Sequence, residues 1–159
     1  MKLNEFFGAE QIVPELQGQS KPQIIAELAH ALARTHAGLD ADELTRVLLA
    51  REELASTAVG DEIAIPHSKI DSLDRLVGCV GRSTAGVDFD SLDGRPTHLF
   101  FALIAPGSSP GIHLKALARI SQLFRNPDFR ASLMQAPTAV AMFRLIEEAD
   151  TPCSQPGSR

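Results

Sequence analysis

The chemistry open to this 159-residue chain centres on its five histidines. Imidazole is the one side chain whose ordinary protonation change falls near neutrality, and it serves as nucleophile, base or metal ligand. The five differ in setting. His67 follows Pro66 and the apolar run Ile63-Ala64-Ile65, so a fixed φ and a restricted preceding residue place its ring at the carboxyl end of an expected strand. Ligands of open α/β sheets gather at such ends. His113 falls in the first turn of an expected helix, where unpaired N–H groups and the helix dipole favour an anion. Arg51, near the end of another expected helix, brings a permanently charged planar fork that suits phosphate oxygens. Ser56 and Thr57, just before Gly60, can donate hydroxyl hydrogen bonds to the same oxygens or cap a turn. His30 and His36 read as surface or helix-end residues, and His98, beside Thr97, as a solvated strand-end residue. A second chemistry stays open at this point, in which His67, His98 and His113 hold a hydrolytic metal with an aspartate from residues 88–93. A third is a pure interaction module.

The elements that must position these groups follow from hydrophobic period and capping residues. Ser20, Pro22 and Gln23 start a helix expected to run to about Gly38, with Ile24, Ile25, Leu28, Ala31 and Leu32 as its inner stripe. Asp40 and Glu43 start a second helix, with Leu44, Val47, Leu48 and Leu54 as its apolar face. The chain then changes to short β-branched runs punctuated by Gly, Asp and Pro, giving strands at 63–65, 76–80 and 99–104. The run 99–104 is continuously apolar and therefore a central strand covered on both faces. After the loop 106–111, His113, Leu117, Ile120 and Phe124 mark a third helix, and two shorter helices at 127–134 and 138–148 follow. The expected architecture is α/β: a single domain over residues 1–150, its mixed central sheet flanked by helices on both faces as an α/β/α sandwich. Residues 149–159 are expected to form a loose tail, flexible over 151–159.

Composition narrows the function further. A net charge of −5 with both signs interspersed offers no basic stripe, so nucleic acid is not an expected partner. The absence of Trp and Tyr argues against an aromatic stacking platform. No apolar stretch approaches the roughly 20 residues of a membrane span, the N-terminus lacks a secretory pattern, and Cys79 and Cys153 have no metal-type spacing. A cytoplasmic protein without membrane insertion is expected. Cys79 reads as a core packer. The segment 88–94 lacks the ligand spacing of a calcium loop, and residues 106–111 lack the lysine ending of a nucleotide-binding loop.

Taken in order, Arg51-Glu52, Ser56-Thr57, Gly60, Ile63-Ala64-Ile65-Pro66-His67 and His113-Leu114 resemble the enzyme IIA domains of the fructose/mannitol (type 2) class of the phosphotransferase system. The similarity covers roughly residues 1–148. Arg51 lies sixteen residues before His67 and His113 forty-six after it, and that combination is far more specific than the short Ala-Ile-Pro-His alone. Ser56-Thr57, the extended run to Ser68-Lys69 and the lack of attached IIB or IIC sequence fit the nitrogen-regulatory branch best. The resemblance implies a phosphocarrier. His67 corresponds to the phosphorylated histidine, His113 to the second active-site histidine and Arg51 to the phosphate-stabilising arginine. It also implies an HPr-like phosphohistidine donor and, as recipient, either a regulatory target or a IIB domain, with no cofactor or metal. Ala58, Glu62 and Ser68 stand where the family often has glycine, and Glu62 is expected to bring negative charge near the phosphoryl group. Val59, Ile63 and Ile112 are expected on a shallow apolar docking surface around His67.

Overall fold

Alternation along one strand organises the molecule, whose computed structural model describes residues 1–150. Strand β6 is Thr97–Pro106, and its side chains point to opposite faces in turn. Leu99, Phe101, Leu103 and Ala105 enter one core with Leu3, Phe7, Ile120, Phe124, Met142 and Ile146. Phe100, Ala102 and Ile104 enter a second core with Ile24, Leu28, Leu44 and Leu48. A strand that buries both faces needs a helical layer on each side. Helices α1 (Lys21–Arg34) and α2 (Ala41–Leu54) cover one face. Helices α3 (Pro110–Phe124), α4 (Pro127–Gln135) and α5 (Ala139–Ala149) cover the other. The expected α/β/α layering is what the chain adopts.

The sheet is mixed. Its order is β1-β5-β6-β3-β2, with β1 as Ile12–Val13, β5 as Val77–Val87, β3 as Ile63–Ala64 and β2 as Ala58–Gly60. A further strand, β4 (His67–Ile70), also pairs with β6. β5 runs antiparallel to β6, while β3 and β4 run parallel to it. The register is unbroken across those last two: Ile63 opposes Leu99, Ala64 opposes Phe100, and His67 opposes Leu103. Residues 63–70 therefore form one path along β6, interrupted at Pro66 because proline has no N–H to donate to the ladder. Its carbonyl still accepts from Leu103 N at 2.9 Å. His67 thus opens a second strand segment instead of ending the first.

Several boundaries depart from sequence expectation. Ser20 Oγ caps α1 through Gln23 N at 3.4 Å, yet Gln23 Oε1 reaches back to Gln19 N, one residue short of a reciprocal box. α1 stops at Arg34, and residues 35–39 form successive turns through Ala33 O and His36 O. Gly38, at φ +92°, serves the second of those turns. Asp40, Asn126 and Thr138 cap the next helices as their chemistry predicts. Leu54, the last residue of α2, is 81% exposed and not part of its apolar face. At the far end, Ala149 completes α5 and Asp150 is buried, accepting from Leu3 N at 2.7 Å and pairing with Arg119. The expected tail over 151–159, with Cys153, lies outside the described residues. Cys79 is buried in the core, where desolvation pushes its thiol up to about 12.

Candidate functional site

His67 enters the site from a strand, and its ring is fixed by its own backbone. Nδ1 lies 2.7 Å from the carbonyl oxygen of Ile65. A carbonyl only accepts, so Nδ1 carries the hydrogen and the lone pair is left on Nε2. His113 comes from α3, whose first position is Pro110, and helix geometry returns its N–H to Ser109 O at 3.3 Å. The two imidazoles meet edge to face, with centroids 5.3 Å apart and planes at 66°. His113 is buried, and its Nε2 has no hydrogen-bond partner among the described residues. Such an orphan is costly in a pure core and points to a site that accepts a ligand.

Arg51 arrives from the last turn of α2, where a cation also complements the helix dipole. Its Nη1 donates to Ala55 O at 2.8 Å, the one hydrogen bond it makes among the described residues, so most of its donors are unspent. Its charge reaches His67. Burial holds the His67 imidazole below its ordinary range; the Ile65 carbonyl and the Glu52 carboxylate oppose that, and Arg51 reinforces it. Burial likewise lowers His113, helped by the charges of His67 and Lys69. His67 and His113, distant in sequence, thus stand ring against ring, with the charge of Arg51 acting on His67.

The hydroxyls of Ser56 and Thr57 are spent on the protein. Ser56 Oγ donates to Phe89 O at 2.7 Å and accepts from Ala58 N, and Thr57 Oγ1 donates to Glu52. They brace the segment after α2 where direct phosphate contact was expected. Glu62 is also not where its charge was expected. It lies beside His98 and Leu99, whose N–H groups its carbonyl accepts, and its carboxylate pairs with Arg95 at 2.5 Å. Along β6 that is four residues, ~13 Å, from the level of His67. Its φ of +69° is the left-handed backbone that glycine adopts more readily. Of the expected docking residues, Val59 and Ile112 are exposed but Ile63 is core; Leu54 and Leu114 add apolar surface unread from sequence.

The remaining histidines lie elsewhere. His30 bonds Ala26 O, His36 contacts Gln11, and His98 bonds Ser83 O toward the other end of β6. Among the described residues no three His, Cys, Asp or Glu side chains come together to hold a metal, which dissolves the His67–His98–His113 metal arrangement. Residues 88–93 form a turn closed on its own aspartates. A residue quoted in the sequence motif but given no role there, Glu52, lies behind His67. Its signal was an acid adjacent to Arg51 and five residues before a threonine; only folding shows that it is buried.

Titration of this pair has a sign that can be checked. A histidine depressed in the folded state contributes stability above its unfolded pKa of about 6.5 and loses it as pH falls through that value, because the unfolded chain then binds more protons. Burial lowers His36, His67 and His113 alike. The melting temperature should therefore decline as pH drops below about 6.5. A His67→Ala, His113→Ala double variant should show a shallower decline in thermal scans at successive pH values; an unchanged slope would contradict the assignment.

The chain is similar over most of its length to known proteins. The chain is 39% identical over 146 residues to a nitrogen regulatory protein of Bradyrhizobium diazoefficiens, covering 92% of this chain and 95% of that one. It is 33% identical over 150 residues to a fructose-specific EIIABC component of Bacillus subtilis, covering 94% of this chain but 24% of that longer protein. The crystal structure of the nitrogen regulatory protein IIA-Ntr from Neisseria meningitidis superimposes with a TM-score of 0.85 at 30% identity, covering 91% of this chain and 98% of that one. The family model for the EIIA 2 component of the phosphoenolpyruvate-dependent sugar phosphotransferase system matches residues 5–149, from the first 3₁₀ turn to the end of α5. A histidine held ready on a strand, faced by a second histidine and an arginine, is thus carried by a chain that belongs to the EIIA type 2 family of that phosphotransferase system.

Proposed function

We propose that the protein is a nitrogen-regulatory IIA phosphocarrier that takes a phosphoryl group onto Nε2 of His67 from the phosphohistidine of an HPr-like protein. The observation that carries this reading is the Nδ1 contact to Ile65 O, which leaves one nucleophilic nitrogen beside His113 and the unspent fork of Arg51. The Nε2 lone pair forms a bond to phosphorus as the donor's N–P bond breaks, and the donor imidazole leaves with that electron pair. The His67 proton stays on Nδ1, held by Ile65. Both ends of the exchange are phosphoimidazoles, so the transfer is nearly balanced and runs either way. A loose transition state spreads charge over the equatorial oxygens, which His113 and Arg51 are placed to stabilise. Lowered imidazole pKa values keep both rings neutral at pH 7, as nucleophile and hydrogen-bond donor require.

Exposed Leu54, Val59, Ile112 and Leu114 are the apolar side chains we assign to donor docking. Such a carrier acts in the cytoplasm, and no described helix is long and apolar enough to cross a membrane. Identity to a fructose-specific EIIABC component favours one second reading, delivery of the phosphoryl group to a IIB domain. Incubation with a phosphorylated HPr-type donor, followed by mass mapping under conditions that preserve acid-labile phosphate, tests the proposal. One phosphate on the peptide containing His67 is expected. Phosphate on another histidine, or none, refutes it.

A further inference from the structure

Behind His67 runs a continuous chain of hydrogen bonds that ends at a buried ion pair. Ile65 O accepts from His67 Nδ1 at 2.7 Å. Ile65 N donates to Thr57 O at 3.0 Å. Thr57 N donates to Glu52 Oε1 at 3.1 Å, and Thr57 Oγ1 donates to Glu52 Oε2. Glu52 Oε1 also accepts from Lys21 Nζ at 3.0 Å, and Lys21 in turn meets Asp90 at 3.1 Å and stands 4.7 Å over the ring of Phe89. The Glu52 side chain is 2% exposed and that of Lys21 15%. A carboxylate so deeply buried is costly unless its lone pairs are used, and here its partners come from α1 and from the segment after α2, with Lys21 held in turn by Asp90.

We infer that Glu52 is a positioning residue for phosphoryl transfer, fixing the His67 ring and its Nδ1–H tautomer through Thr57 and Ile65. The inference rests on His67 being the acceptor. Its logic is geometric: the only hydrogen bond orienting the imidazole among the described residues is to a carbonyl, and that peptide is held by Thr57, whose N–H and hydroxyl both terminate on Glu52. Glu52 also neighbours Arg51 in sequence, so the same anchor fixes the helix end that presents the guanidinium. Misplacing a reacting group by about 1 Å can cost roughly a hundredfold in rate. The charged groups that act on the two rings are Arg51 and Glu52 from α2, both on His67, and Lys69 from β4 with His67 itself, both on His113. Among these Glu52 alone raises the His67 imidazole.

Two variants separate charge from linkage. Glu52→Gln removes the charge, and Lys21 keeps Asp90 and the Phe89 ring as partners. Thr57→Val keeps the charge and deletes the hydroxyl link. Nitrogen-edited NMR of the unphosphorylated protein reports the tautomer and titration midpoint of His67 without any donor. Uptake from an HPr-type protein, kept phosphorylated by phosphoenolpyruvate and enzyme I, reports transfer. Glu52→Gln should lower the His67 midpoint, and both variants should admit the Nε2–H tautomer and slow uptake by roughly tenfold to a hundredfold. Glu52→Asp should recover the midpoint. Should Glu52→Gln lose its fold, Thr57→Val decides alone. Uptake at the wild-type rate in the folded variants, with the tautomer unmoved, overturns the inference. Absence of uptake by the wild-type protein, with the tautomer still shifting, removes the carrier reading and leaves Glu52's positioning role standing.

Discussion

A His67→Ala protein should take up no phosphate from an HPr-type donor while keeping its fold. The side chain contributes one hydrogen bond, worth about 1 kcal/mol, and it is only half-buried, so the loss to stability is small. The loss to transfer is total, because no other imidazole in the site is set as a nucleophile: His113 is buried and lacks a carbonyl to fix its tautomer. His113→Ala is the informative companion. It should still accept phosphate on His67, but about a hundredfold more slowly, as expected for removal of one donor to the transferring group. Retained acid-labile phosphate on His67→Ala, measured against a wild-type control melting at a similar temperature, would refute the site.

The second large effect falls on stability. Phe101 is fully buried at the centre of β6, packed edge to face against Phe7 at 5.2 Å and Phe124 at 6.0 Å, with Phe6 at 6.4 Å. Phe101→Ala should cost about 4 kcal/mol, since its neighbours come from the N-terminal turns and α3 and cannot all collapse into the cavity. In a chain of this length that is a fall of about 10 °C in melting temperature. Leu54→Ala, at an 81% exposed position, should change stability by less than about 0.5 kcal/mol. Thermal or urea unfolding checks both, and a Phe101→Ala protein within 1 kcal/mol of wild type would show that the two cores are not organised around β6.

The contrast between those positions explains what could be read from sequence. The central strand was legible because residues 99–104 are apolar without interruption, a pattern that only burial on both faces sustains. The helices were legible from caps and period, though not the end of α1, where His36 and Gly38 form turns that the glycine alone did not distinguish from a helix stop. Strands β1, β2 and β4 were not, being two to four residues long, too short to show a period, and in β4 polar at three of four positions. Their existence depends on β5, β6 and β3 offering free ladder edges, which is a tertiary fact. His67, His113 and Arg51 were singled out as candidates by type and spacing, and folding sets the two imidazoles against each other. Glu52 was not singled out, since a carboxylate's burial depends on Lys21, Thr57 and Asp90 arriving from separate elements. The same dependence moved Glu62 away from the site and turned the hydroxyls of Ser56 and Thr57 inward.

Pro66 breaks the ladder without breaking the register, and residues on either side stay opposite their β6 partners. The His67 imidazole is therefore mounted on a strand paired to the central β6 and not on a hinged flap. A carrier built this way holds its imidazole in place before a partner arrives. How fast phosphate enters or leaves should then be set by how often a partner arrives in the right orientation, which makes surface recognition, more than internal rearrangement, the quantity that selection can tune.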